Sequence, residues 1–166
     1  QVDDSVAEQI TDALRDWIDS DDVLVSGQGA EDSWYQSLKV PYLARNGPMT
    51  DISELRLVRG VTPAIYRRLL PQVCALPNAT TGAELKINVN TLLESQAPLL
   101  AALFLGQMSN EEALNVLRDR PKDGWIDKPT FFGLSAVMSA NTGLGDKAQN
   151  SVEVTSNYFE ARLQVQ

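Results

Sequence analysis

A chain of 166 residues can bury a real core, and 43% hydrophobic with 22% charged residues is a globular rather than a disordered composition. With 14 basic against 22 acidic residues its net charge is −8, which repels phosphate backbones and anionic membrane surfaces alike. Histidine is absent and Cys74 is the one cysteine, so no Ser-His-Asp or Cys-His pair, no His-ligated zinc or iron site and no internal disulfide can form.

The first element is a helix. Val6, Ile10, Ala13, Leu14, Trp17 and Ile18 recur at i, i+4, i+7, i+8, i+11 and i+12, while Glu8, Asp12, Asp16 and Asp19 line the opposite side. At its end begins "DWIDSDDVLVSGQGAEDSWY", which holds Asp16, Asp19, Asp21, Asp22, Glu31 and Asp32 with no Lys or Arg among them. A helix C-terminus disfavours negative charge, so this placement costs stability unless something positive sits there. Two readings stay open on the residues alone: an open face screened by water, or a site that holds a cation. The EF-hand pattern does not fit, because a loop starting at Asp19 puts Leu24 where the invariant Gly belongs and Ala30 at position 12. From Val23 to Asn46 no period is visible and the segment reads as a long loop. Trp17 belongs to the apolar stripe, and Trp34 and Tyr35 are expected to pin the loop onto the helices.

Further along, Thr62 as N-cap and Pro63 in the first helical position open a short helix to Leu70, stopped by Pro71. "KINVNT" alternates as a short extended piece, and "PLLAALFL" is apolar enough for a buried helix. Ser109 and Glu112 form a capping box for a helix that ends before Pro121. Val152 and Val154, then Phe159, Ala161, Leu163 and Val165, alternate with polar residues as strands do and need sheet partners. "GVTP" at Gly60 and "NTGLGDK" at Asn141 lack nucleotide-loop spacing, and nothing selects a pair of carboxylates for catalysis. No apolar run reaches the ~18 residues a membrane helix needs. The chain starts at Gln1 rather than Met, which suggests a trimmed fragment with room for an anchor upstream.

"ALRDWIDSDD", "GAEDSWY", "VPYLARNGPM", "SELRLVRGVTPAIYRRLLPQVCALP" and "INVNT", in this order and rough spacing, resemble the K-type minor pseudopilin of the type II secretion system, also called general secretion pathway protein K. The resemblance runs from about Val6 to Leu163. It implies a mainly α fold with a small β part, in which two helical subdomains of helix-hairpin-helix or SAM-like type are inserted into a pilin-like α/β domain. Only the closing strands of that domain would be present here. The implied division is 1–83, a first helical subdomain with the acidic loop; 84–148, a second helical subdomain; and 149–166, the closing strands. The implied protein is not an enzyme. It is a periplasmic structural subunit, anchored in the bacterial inner membrane when full length, that joins I-type and J-type minor pseudopilins at the pseudopilus tip, with secreted substrates as a further class of contact. The resemblance also implies structural calcium (Ca2+) in the acidic loop, with Asp19, Asp21, Asp22, Glu31 and Asp32 as ligand suppliers.

The competing class is a nucleic-acid-binding module. "SELRLVRGVTPAIYRRLL" and the segment from "INVNT" to "KDGW" each resemble helix-hairpin-helix units, which elsewhere grip phosphates through a glycine-rich hairpin. Here the hairpins read Gly60-Val61-Thr62 and Gly106-Gln107-Met108, without paired glycines, and the arginines at 56, 59, 67 and 68 sit in a strongly acidic chain. Protein contact on a reused scaffold is the expectation.

Overall fold

The computed structural model describes residues 3–76, 86–157 and 159 and divides the chain into two compact units, Gln1–Ala83 and Glu84–Gln166. Helix dominates, and two strands of two residues each are all the β structure among the described residues. No helix there is long and apolar enough to cross a membrane.

In the first unit, α1 (Asp4–Ile18) starts where Asp3 accepts a hydrogen bond from the Ser5 backbone N–H, satisfying an otherwise orphaned donor. Its stripe buries Ile10, Ala13 and Trp17 as the spacing predicts, but Ile18 at the end is exposed. The expectation for Asp16 fails: it is completely buried rather than on the solvent side. Angularly it stands on the flank of the stripe, about 100° from its centre, where the loop after the helix folds back over it. That loop is also not uniformly irregular, because α2 (Asp32–Gln36) lies inside it. Tyr35 on α2 is fully buried against the edge of Trp17, ring centroids 5.1 Å apart, with Trp34 at 4.9 Å and Tyr42 at 5.2 Å on its other sides. The Tyr42 hydroxyl donates to the Leu57 carbonyl, tying the loop to a 3-10 segment, Ile52–Leu57, that opens with a capping box from Asp51 and Glu54. Then comes α3 (Pro63–Leu69), capped by Thr62 with Pro63 in its first turn.

The second unit is built on α4 (Ala97–Leu103) and α5 (Asn110–Arg118), which pack on each other and bury Leu100, Phe104, Ala113 and Leu117. The Ser109–Glu112 capping box forms in both directions. "KINVNT" is only briefly extended: β1 (Ile87–Asn88) turns directly into a 3-10 turn, Val89–Thr91. Three short helices follow that no apolar period marks: α6 (Lys128–Phe132), α7 (Ser135–Asn141) and α8 (Lys147–Ser151). They supply Phe131, Val137 and Ala148 to the core. The strand expected around Val152 is β2 (Val152–Glu153), which pairs in parallel with β1, Ile87 opposite Val152 and Asn88 opposite Glu153. β2 lies within the second compact unit, Glu84–Gln166. Phe159 is exposed and in no strand, while Ala161, Leu163 and Val165 fall outside the described residues.

Asn90 holds these pieces together. Its amide donates to the carbonyls of Trp125 (2.9 Å) and Val154 (3.1 Å), and its carbonyl accepts from the Trp125 N–H (2.8 Å). Gly124, at φ 78°, leaves room for this, since a side chain there would come within 2.7 Å of the Asn90 amide carbon. The Arg120 guanidinium caps the Leu92 carbonyl at 2.7 Å from the other side. Asn90→Ala removes three partly buried bonds and orphans their partners, and is expected to cost about 2–3 kcal/mol, read as a lower urea midpoint with an unchanged slope in Trp fluorescence. Leu93→Ala, at an exposed site in the same unit, should stay within about 0.5 kcal/mol of the unsubstituted chain.

Candidate metal centre

The site is organised by an anion with no freedom left. The buried Asp16 carboxylate accepts from the Val25 N–H through Oδ1 (2.9 Å) and from the Ala30 N–H through Oδ2 (2.7 Å), so nine and fourteen residues of chain are closed back onto α1. Gly29 is forced by this closure, because a Cβ there would stand 2.0 Å from Asp16 Oδ2. The Ser26 hydroxyl donates to Asp12, one turn earlier on α1, and its oxygen accepts from the Gln28 N–H. From outside, the Arg59 guanidinium donates to the Gly29 carbonyl at 2.7 Å and stacks over the Trp34 ring at 5.2 Å.

This path brings Asp19, at the C-terminal end of α1, together with Asp21 and with Glu31, the residue that begins α2. One carboxylate oxygen from each lies within 4.8 Å of the other two. Glu31 is 3% exposed, yet neither of its oxygens has a hydrogen-bond partner among the described residues, and neither has Asp19 Oδ1. Burial, with Asp16, Asp19, Asp22 and Asp21 close by, pushes the Glu31 carboxyl up to about 7. Burial and then Asp21 and Asp16 raise the Asp19 carboxyl as well.

The other two expected ligand residues make hydrogen bonds elsewhere in the loop. Asp22 is exposed and accepts from the Asn46 amide at 3.2 Å. Asp32, in the first turn of α2, accepts from the Ala44 N–H at 2.7 Å and fixes the return of the loop. Sequence reasoning missed Asp16 as the loop's anchor, and it missed Asn46, which sits in the left-handed region at φ 50° with its side-chain oxygen buried and unpartnered. The signal available for Asp16 was its place beside Trp17 on the stripe's flank.

Orphaned, mutually repelling carboxylate oxygens fit a hard cation. All donors at hand are oxygens, and no ion pair neutralises Asp19, Asp21 or Glu31 among the described residues.

Two sequence profiles described as type II secretion system (T2SS), protein K match residues 1–78 and 87–155. Among curated proteins the chain is similar to the type II secretion system protein K of Aeromonas hydrophila, 44% identical over 98% of this chain and 47% of that protein. The protein of the same name from Pectobacterium carotovorum is 45% identical over 96% of this chain and 46% of its own length. The chain thus spans about half the length of the curated relatives it matches. Among solved structures it resembles a chain of the GspK-GspI-GspJ complex from the enterotoxigenic Escherichia coli type 2 secretion system, with a TM-score of 0.81 and 35% identity over 94% of this chain and 52% of that one.

The raised Glu31 carboxyl makes a pH prediction for the metal-free chain. A group that titrates near 7 when folded and near its ordinary 4.5 when unfolded holds its proton more tightly in the fold. Its contribution is therefore full below about pH 4.5 and lost as pH rises through 7. With chelator present, the melting midpoint of the unsubstituted chain should fall relative to Glu31→Gln between those pH values, by the equivalent of roughly 3 kcal/mol. Parallel midpoints for the two chains across that range would contradict it.

Proposed function

The chain belongs to the protein K family of the type II secretion system, and from that premise we propose that it is part of a minor pseudopilin, a non-enzymatic structural subunit at the tip of the secretion pseudopilus. It works on the periplasmic side and is anchored in the inner membrane when full length. Its partners are the I-type and J-type minor pseudopilins. The observation that carries this reading is the likeness of nearly the whole chain to part of a complex described by those three components. The two helical units correspond, in this reading, to the helix-hairpin-helix or SAM-like pair inserted into a pilin-like domain, with β2 at the start of the closing strands.

The ion of the acidic loop is calcium, and its role is structural. Support comes from both Glu31 oxygens and Asp19 Oδ1, which are buried and lack partners among the described residues, and from a donor set of oxygens alone, which favours calcium over zinc or copper. Asp19, Asp21 and Glu31 would hold it, Asp22 would add charge from the rim, and Asp16 and Asp32 would keep the loop in shape. When bound, the cation supplies positive charge that offsets carboxylate repulsion and the unfavourable end of the α1 dipole.

Nucleic-acid binding gains no support from the hairpins. Gly60 has its free side packed against Ile10 and Gln9 of α1, and the first turn of α5 carries Glu111 and Glu112, which repel a phosphate at that helix N-terminus.

Mixing the chain with the soluble I-type and J-type domains should give a stoichiometric complex by size-exclusion chromatography with light scattering, and duplex DNA should not bind even at low salt. Excess calcium should raise the melting midpoint over chelator, by linkage about 2.7 kcal/mol at a hundredfold excess over the dissociation constant, and Glu31→Ala should abolish that rise. Submicromolar DNA binding without a pseudopilin complex would overturn the assembly reading. A midpoint indifferent to millimolar calcium would overturn the metal reading.

A further inference from the structure

The chain's longest run free of Asp and Glu is also basic. From Leu55 to Ala83 the sequence contains Arg56, Arg59, Arg67 and Arg68 and no Asp or Glu, inside a chain of net charge −8. The structure separates these arginines by their employment. Arg59 is engaged with the Gly29 carbonyl and the Trp34 ring, and Arg56 lies over the Tyr66 ring at 5.9 Å. The side chains of Arg67 and Arg68 have no hydrogen bond or ion pair among the described residues.

Both sit on α3, a helix that fully buries none of its residues. Ile65, Tyr66 and Leu69 are half-buried and make its inner side. Ala64, Arg67 and Arg68, spaced i, i+3 and i+4, make the outer side, and all three are exposed. Just beyond the helix Leu70 is 44% and Val73 40% exposed, so aliphatic surface adjoins the two guanidinium groups.

Exposed aliphatics beside unpaired arginines match the composition of protein interfaces, where Arg is enriched and Lys and Glu are depleted. We propose that the outer face of α3, formed by Ala64, Arg67 and Arg68 with Leu70 and Val73 beside it, docks an acidic protein surface. Carboxylates of the partner pair with the two guanidinium forks, and apolar side chains cover Leu70 and Val73. Charge selects the occupant. Two arginines on a seven-residue helix neutralise little of a phosphate backbone, and the field of the whole acidic chain opposes such a ligand. A protein needs to bring only a pair of carboxylates, whose contacts are short-ranged. The inference rests on the tip assembly proposed above, which supplies the partners for its test.

The full chain is titrated with the soluble I-type and J-type domains, singly and together, at about 50 mM and about 300 mM salt. It is compared with Arg67→Glu/Arg68→Glu and with Arg67→Lys/Arg68→Lys, each checked for an unchanged melting midpoint. Charge reversal should weaken binding tenfold or more at low salt and flatten its salt dependence, while the lysine pair, which keeps the charge, stays within about threefold. If reversal prevents folding, Arg67→Ala/Arg68→Ala is judged by the same criteria. A complex that forms with the unsubstituted chain and ignores reversal overturns the docking surface alone. Absence of any complex overturns the tip reading and the docking surface together. Binding to a duplex DNA that is lost on reversal would show that the arginines serve phosphate instead.

Discussion

The first unit depends on one buried anion. Placing the Asp16 carboxylate at zero exposure is costly unless its oxygens are satisfied, and the N–H groups of Val25 and Ala30 satisfy one each. Those two bonds dictate where the loop runs, and much else follows from the route. Gly29 must lack a side chain, Glu31 is carried under cover, and Tyr35 reaches the edge of Trp17. The Tyr35 hydroxyl then accepts from the Arg59 N–H, and burial pushes it up to about 12, so it stays neutral.

The same anion creates an electrostatic problem that a bound cation would relieve. Asp16 stands next after burial among the causes that raise Glu31, so the group that shapes the loop also makes an ionised Glu31 unfavourable. Among the described residues no ion pair relieves this: Arg59, which reaches the loop, goes to a backbone carbonyl and an aromatic face. A proton relieves part of the strain, and a divalent ion relieves more because it meets several oxygens at once. The second unit solves its packing differently, with the neutral amide of Asn90 joining the turn after β1 to the Trp125 segment and to Val154 just past β2, without any net charge.

Features governed by local chemistry were legible in the sequence. The Thr62–Pro63 start of α3 and the Ser109–Glu112 box of α5 form as read, because capping acts over three or four residues. The five-residue helices were not legible, since so few turns show no period and tertiary contacts hold them in place. For α6 a local signal did exist: Asp127 caps the Thr130 N–H and Pro129 sits in the first turn. At the site, composition marked the loop in which three carboxylates converge but could not sort its members. Asp19, Asp21 and Glu31 converge whereas Asp32 turns to Ala44, and the difference lies in the direction each side chain takes from a path that Asp16 sets. Asp16 itself was misread because helical period alone puts a flanking residue with the polar side.

The central claim is that the partnerless oxygens of Asp19 and Glu31 are ligands of a bound cation. Crystals of the chain grown with calcium, measured where calcium scatters anomalously, test it most directly. The account predicts an anomalous peak between Asp19, Asp21 and Glu31, with carboxylate oxygens at about 2.3–2.6 Å and no nitrogen or sulfur ligand. A calcium-grown crystal with no peak there, and with Glu31 hydrogen-bonded to water or to protein, would contradict it.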